Sequence, residues 1–208
     1  EASIVQRRWR IHQTLMGNPT AAEEASSTVA AWPGADPDQR CELQAGMAGG
    51  GALAQLAPAL GGAAAPMTDA RWEQYVGEML IHTTMHEVGH TLGLRHNFRS
   101  STATPMAKLH DKAWTAQNGL VASVMDYATP NIDYTGTHQG EYYGVWPGTA
   151  DAWMIRYGYA SSGAGDVDAD YGFARKIADE SERPGHEYST DEDTNGPFAL
   201  DPRTNHFD

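Results

Sequence analysis

One run of residues limits what this chain can fold into more than any other: HEVGHTLGLRH at residues 86–96. His86 and His90 are four residues apart, so on a helix both imidazoles leave from the same face. Gly93 tolerates the left-handed conformation that ends a helix with a sharp turn, and such a turn lets His96 come back toward the first two rings. The run therefore predicts a helix, a tight stop and three converging imidazoles.

The three imidazoles are candidate metal ligands. Zinc binds histidine nitrogen at about 2.0–2.1 Å, and three protein ligands with one open position are typical of a catalytic zinc rather than a closed structural one. Glu87 lies on the adjoining helix face, too far round to be an easy third ligand but able to reach a metal-bound water. We therefore expect zinc at His86, His90 and His96, with Glu87 beside it.

Hydrophobic periodicity predicts helices more often than strands along the chain. The chain has only six Ile and eight Val, and residues 120–125 are its most strand-like stretch, as either a strand or a tight turn. We expect an α+β, helix-rich fold with few strands. The predicted helices include residues 2–16, about 70–92, around 105–116 and 149–157.

Two of these helices have a candidate buried face. Asp69 is a candidate N-cap for the helix that leads into the motif. The apolar stripe of that helix consists of Trp72, Val76, Met79, Leu80 and Thr83. The candidate core residues of the helix at 149–157 are Trp153, Ile155 and Tyr157.

The chain is acidic, with a formal net charge of −13. This charge disfavours nucleic acid and anionic membranes as partners, because both attract clusters of Lys and Arg. No apolar run approaches the roughly 18 residues that a membrane helix needs. Twelve of the 27 acidic residues fall in residues 166–208, so much of the acidity belongs to the C-terminal region.

These shifts in composition predict three regions. Residues 1–66 are a helical and loop N-terminal part, residues 67–160 a zinc-binding core and residues 161–208 an acidic C-terminal extension. Cys41 is the only cysteine, which we interpret as a free buried thiol. Since the chain begins at Glu1 without an initiator Met, we expect a fragment of a longer protein with flanking domains.

A second motif follows the first, SVMDY at residues 123–127. The combination of H-E-x-x-H-x-x-G-x-x-H with S-x-M-x-Y resembles the metzincin zinc endopeptidases and their Met-turn. Residues 86–101, 139–143 (QGEYY) and 153–159 (WMIRYGY) also look like the bacterial zinc-dependent metalloproteases that carry a Met-zincin domain. Members of that group are generally large, exported proteins, so the resemblance implies an extracellular or periplasmic location.

The resemblance also implies roles for single residues. His86, His90 and His96 match the zinc ligands. Glu87 matches the general base that acts on a zinc-bound water and hands the proton to the leaving amine. The remaining matches are Met125, the Met-turn residue that forms an apolar floor, and Tyr127, whose phenol stabilises negative charge on the substrate.

Other interpretations of these residues stay open. Met125 alone suits a core methionine, and Tyr127 a packed aromatic. His82, one turn before His86, suits a packed or solvent-facing histidine better than a partner of the metal site. Asn97 departs from the residues that follow the third histidine in the better-known metzincin branches, so their substrate preferences are not assumed.

The C-terminal region contains the opening of a calcium loop, D-x-D-x-N-G at residues 191–196. Pro202 stands where the loop needs its bidentate Glu, and residues 166–172 place their Gly one position late. We therefore expect solvated acidic loops, with calcium as the alternative.

Together the motifs predict a zinc-dependent endopeptidase that hydrolyses internal peptide bonds of a polypeptide substrate. A zinc hydrolase of a non-protein substrate and a non-catalytic zincin binding module are the alternatives. The intact Glu87 disfavours the non-catalytic module, because a binding module has no use for a general base. Residues 128–134 are expected in the wall of the specificity pocket.

Overall fold

The computed structural model describes residues 67–133 and 138–194, and regular structure in these ranges is helical, with no β-strand among them. The helix-rich prediction is therefore confirmed for these residues. The helices are α1 (Asp69–Thr91), α2 (Lys112–Asn118), α3 (Thr149–Tyr159), α4 (Val167–Ala178) and α5 (Asp191–Thr194), with 3₁₀ turns at Ser100–Ala103, Met106–Lys108 and Asp179–Glu182.

The predicted helices at about 70–92 and 149–157 correspond to α1 and α3. The helix expected around 105–116 is instead a 3₁₀ turn followed by the short α2. Residues 120–125 form the tight turn rather than the strand. The predicted helix at 2–16 and Cys41 lie outside the described residues, and the division of the chain at residues 66 and 160 stays a prediction.

Helix α1 begins one residue earlier than predicted. Thr68, not Asp69, is the N-cap, and its hydroxyl accepts a hydrogen bond from the backbone N–H of Arg71 at 3.4 Å. Asp69 lies in the first turn, where its negative charge interacts favourably with the positive end of the helix dipole. The buried face consists of Tyr75, Val76, Met79, His82, His86 and Gly89.

This buried face shares only Val76 and Met79 with the predicted stripe. Tyr75 is fully buried, whereas Leu80 is 53% exposed. Residues at both 75/79 and 76/80 have helical spacing, so the periodicity could not decide which row faces inward. The edges of the Tyr142 and Tyr143 rings decide it, because they pack on Tyr75 with centroids 5.3 and 5.5 Å away.

Residues 138–144 are fastened to α1 by the same aromatic cluster. Tyr75 and Tyr143 share a hydrogen bond between their hydroxyls at 3.1 Å. Glu78 accepts the backbone N–H of Tyr142 at 2.5 Å. The core around them also contains Val76, Met79, Phe98 and Tyr127.

Helix α3 holds the turn at residues 120–127 by its first residues. Asp151 accepts the hydroxyl of Ser123 at 2.5 Å and the backbone N–H groups of Val124 and Gly148 at 2.9 and 2.8 Å. A side chain at Gly148 would overlap the carbonyl oxygen of Ala122. Glycine is needed here because the two backbones touch.

The predicted core residues of α3 are placed differently. Its buried residues are Ala150 and Asp151, whereas Trp153 and Ile155 are half-buried and Tyr157 is 53% exposed. Trp153 contacts α4 instead: its indole N–H donates to the carbonyl of Ile177 at 2.7 Å, and its ring stacks on His186. No helix within residues 67–133 and 138–194 is long and apolar enough to cross a membrane.

Candidate metal centre

Three histidines from two elements meet at the end of α1. His86 and His90 project from its last two turns, with ring centroids 4.7 Å apart. His96 completes the group, with its ring 5.4 Å from that of His86 and 4.8 Å from that of His90. One nitrogen from each ring lies within 4.8 Å of the others, so the three side chains can hold one metal ion.

The turn that returns His96 is encoded by Gly93. Its φ of +84° is in the left-handed region, where glycine is favoured. The N–H of Gly93 donates to the carbonyl of His90, and the N–H of Leu94 reaches back to the carbonyl of Gly89, both at 3.0 Å. These two bonds form the Schellman motif that ends a helix. The predicted stop is thus at the predicted residue.

The Nδ1 atom of each ring has an acceptor. The acceptors are the carbonyl oxygen of Val124 for His86 at 2.7 Å, that of Leu94 for His90 at 3.0 Å, and a carboxylate oxygen of Asp191 for His96 at 2.8 Å. Because these oxygens accept, each Nδ1 carries the proton and each Nε2 keeps its lone pair. This pattern orients histidine ligands in metal sites.

The ring nitrogens fit a metal in two further respects. The Nε2 atom of His90 is buried and has no hydrogen-bond partner among the described residues, which is costly unless a ligand uses its lone pair. Burial and the neighbouring imidazoles together lower the pKa of His86 to about 3, despite the hydrogen bond to Val124. His86 is therefore neutral at pH 7, the form that binds a metal.

The turn at residues 123–127 contacts both parts of this group. Val124 accepts from His86, as above, and the carbonyl of Met125 accepts the backbone N–H of Asn97 at 3.0 Å. Met125 is fully buried against α1, where a Cβ at Gly89 would overlap its sulfur. The turn therefore fixes the spacing between α1 and the residues around His96.

Tyr127 lies at the edge of the three histidines. Its hydroxyl is 3.0 Å from Nε2 of His96, and its ring packs on His96 and on Phe98 with centroids 4.8 and 5.1 Å away. Since Nδ1 of His96 carries the proton, the phenol donates to the Nε2 lone pair. Tyr127 is both a packed aromatic and a neighbour of the candidate metal position.

Glu87 and His82, which lie on α1 close to the candidate ligands, differ in exposure. Glu87 is exposed on the penultimate turn of α1, open to solvent. His82 is fully buried: its Nδ1 lies 3.2 Å from the carbonyl of Gly144 and its ring lies against Tyr143. The interpretation of His82 as a packed histidine is therefore confirmed.

The structure corrects the interpretation of residues 191–196 as a solvated acidic loop. Asp191–Thr194 form the single turn α5, and the side chain of Asp191 is only 13% exposed. Burial is the largest single influence on the pKa of Asp191 and acts to raise it, but the hydrogen bond and the charge interaction with His96, together with the bond from Thr190 and a backbone bond, hold the pKa below the usual range. The calcium alternative stays untested, and Asn195, Gly196 and Pro202 lie outside the described residues.

Three residues at this centre were not singled out by sequence reasoning or were given no role. Asn97 is fully buried, accepts the backbone N–H of Ser189 at 3.2 Å and donates to the carbonyl of Glu187 at 3.0 Å. Asp191 stood out only as the first acid of the candidate calcium loop, and nothing linked it to a histidine. Gly89 did carry one, because a glycine inside a helix costs about 0.5–1 kcal/mol unless close packing requires it.

Comparison with known proteins agrees with this geometry. A family model described as Met-zincin matches residues 68–208, more than half of the chain, and this span includes all three histidines, the turn at 123–127 and Asp191. No curated protein and no solved structure matches the chain. The resemblance seen in the motifs is thus confirmed, and the chain belongs to the Met-zincin family.

Proposed function

We propose that this chain is a zinc-dependent endopeptidase that hydrolyses internal peptide bonds. Membership of the Met-zincin family suggests a zinc metalloprotease, and the three histidines can hold a metal. The observation that carries the proposal is the set of three imidazoles whose Nδ1 atoms are all engaged by acceptors, which leaves three Nε2 atoms for one ion.

His86, His90 and His96 would hold the zinc ion. When bound, zinc supplies a Lewis acid that lowers the pKa of water toward about 7 and polarises a carbonyl. Three histidine ligands leave a position open for water or substrate, which matches a catalytic rather than a structural zinc site.

Glu87 is proposed as the general base. It adjoins His86 on α1 and is exposed, so water and substrate can reach its carboxylate. It would accept a proton from the attacking water and pass that proton to the nitrogen of the leaving amine.

Tyr127 is proposed to stabilise the negative charge that develops on the carbonyl oxygen of the substrate. Its hydroxyl donates to Nε2 of His96. One lone pair cannot serve both Tyr127 and a metal, so the phenol loses this acceptor when His96 acts as a ligand. A phenol released in this way is able to donate to an oxyanion.

Met125 is proposed as the Met-turn residue, supported by its full burial against Gly89 and by the bond from Asn97 to its carbonyl. By resemblance we also infer export, to the cell exterior or the periplasm, and flanking domains in a longer parent chain. Separating culture medium, periplasm and cytoplasm of cells that express the parent gene, followed by immunoblotting, tests the location.

The proposed function is tested on the full chain with an unfolded protein as substrate. We expect cleavage that a chelator stops and that added zinc restores, with new termini inside the substrate when the products are sequenced by mass spectrometry. Zinc binding without cleavage of the protein or of a quenched-peptide library would contradict the endopeptidase assignment. It would favour the non-protein substrate or the binding module.

A further inference from the structure

His96 differs from the other two candidate ligands in what its Nδ1 contacts. His86 and His90 each donate to a neutral backbone carbonyl, whereas His96 donates to the carboxylate of Asp191. The two side chains are largely buried, with 4% of His96 and 13% of Asp191 exposed. A hydrogen bond to a carboxylate is stronger than one to a neutral carbonyl. Burial strengthens it further, because water has less access to compete for the two groups.

His96 also needs this support more than the others. Its two companions are rigidly spaced because they share α1, while His96 follows the turn at Gly93 and has no helix to orient it. A carboxylate on Nδ1 fixes both the tautomer and the direction of Nε2. It also adds negative charge close to a cation, which favours metal binding.

Asp191 is delivered by a docked segment rather than by a free tail. Residues 187–191 run beside residues 96–98, where Phe98 donates its backbone N–H to the carbonyl of Ser189 at 2.8 Å. The side chain of Asn97 bonds the same segment on both sides, as described above. The contact with His96 is therefore one part of a continuous interface.

A second set of charges lies on the solvent-exposed side of α5, where the Arg95 and Glu192 side chains are 44% and 62% exposed and an ion pair contributes little. Arg95 lies 2.6 Å from a carboxylate oxygen of Glu192 and 3.7 Å from one of Asp191. Asp193 accepts the backbone N–H of Thr190 at 2.9 Å and so closes the turn. Glu192 bonds Arg95. Within the described part of the chain, it makes no hydrogen bond with the three histidines.

We infer that Asp191 is a positioning residue for the metal ligand His96, so that the segment at residues 187–191 is part of the metal centre. This inference rests on the proposed function, since it assumes that His96 binds zinc. It gives a role to Asp191, an acidic residue in a region that the sequence suggested was a solvated loop.

The test measures zinc affinity of the full chain by competition with a chromophoric chelator, in the wild type and in Asp191→Ala, Asp191→Asn and Glu192→Ala. Outer partners of histidine ligands typically contribute about 10–100-fold in metal affinity. We expect Asp191→Ala to lose an amount in this range. Asp191→Asn, which keeps an acceptor of the same size, should recover part of it. Glu192→Ala removes the same charge next door and should change affinity less than threefold.

The absorption spectrum of bound Co²⁺ gives a second readout. It should change in Asp191→Ala, where the ring of His96 loses its orientation, and stay the same in Glu192→Ala. Circular dichroism and thermal unfolding establish that Asp191→Asn is folded. Wild-type affinity and spectrum in both Asp191 variants, or equal losses in Asp191→Ala and Glu192→Ala, would overturn the inference and leave the proposed function standing. A wild-type chain that binds no zinc would overturn both.

Discussion

The candidate ligands come in two kinds that are positioned in different ways. His86 and His90, here called the helix pair, are spaced by α1 itself, and their Nδ1 acceptors are backbone carbonyls. His96, the returning ligand, is held by Asp191, a side chain 95 residues away. The helix pair therefore depends mainly on local structure, while the returning ligand depends on docking of the C-terminal segment. The two should respond differently to substitution.

The largest effect is expected where the returning ligand meets the docked segment. Asn97→Ala removes two hydrogen bonds to residues 187–189 and leaves buried backbone groups without partners. We expect a loss of about 2 kcal/mol in the free energy of unfolding, because each buried unsatisfied polar group costs about 1–3 kcal/mol. Zinc affinity should fall as well, since the segment carries Asp191.

Asn118→Ala is the matched control for this substitution. Asn118 is exposed and donates only to the carbonyl of Trp114 within its own helix. Its replacement should stay within about 0.5 kcal/mol. Chemical denaturation measures both variants, and equal stability of the two would show that the docked segment contributes nothing.

A smaller effect is expected at the helix pair. In Gly89→Ala the new Cβ would overlap the sulfur of Met125, which is fully buried and cannot move away freely. Overpacking of this kind costs about 1–3 kcal/mol, and the better helix propensity of Ala returns about 0.5–1 kcal/mol. A net loss of about 1 kcal/mol follows.

Gly77 offers the control on the same helix. A Cβ there meets no atom within 4 Å, so Gly77→Ala should stabilise the protein by about 0.5–1 kcal/mol. Thermal unfolding of both variants gives the comparison. If Gly89→Ala proved as stabilising as Gly77→Ala, the close packing between α1 and Met125 would be wrong.

The smallest effect concerns pH and the buried residue one turn before the helix pair. Burial lowers the pKa of His82 below 6.5, despite hydrogen bonding to the backbone of Gly144 and Asp126, and Tyr143 is the ring that faces it. As pH falls, His82 therefore takes up a proton in the unfolded chain before it does so in the folded protein. The stability that His82 contributes is complete above pH 6.5 and is lost as pH falls toward its folded pKa.

We expect His82→Gln to flatten the decline of unfolding free energy below pH 6.5 when it is measured by urea denaturation with chelator present. Part of the slope should remain, because His86 is buried and neutral as well. The same slope in wild type and variant would mean that His82 is charged in the folded protein.

The sequence predicted what local spacing determines. Helical geometry alone places His86 and His90 on one face and lets Gly93 end the helix. For this reason α1, its end and the three converging rings could be expected. The residues of SVMDY were found through their motif, although their burial and bonds were not. In each case the signal lies within about 40 residues of the centre.

What the sequence could not predict depends on contacts between distant residues. Asp191 was noticed only as the first acid of a candidate calcium loop, because nothing local marks the carboxylate that bonds His96. Asn97 drew attention only as a departure from related motifs. Leu80 was misplaced for a similar reason: two adjacent helical rows are both apolar, and only the packing of Tyr142 and Tyr143 selects the buried one.

The central claim is that the three histidines hold zinc while Glu87 performs the proton transfer. The direct measurement is zinc content, by elemental analysis, beside the rate of peptide cleavage in Glu87→Ala, His96→Ala and the control Glu73→Ala, an exposed residue on the same helix. We predict that Glu87→Ala keeps its zinc and loses about 10²–10⁴-fold in rate, that His96→Ala loses both, and that Glu73→Ala loses neither. A Glu87→Ala variant that cleaves peptides at the wild-type rate would contradict the account.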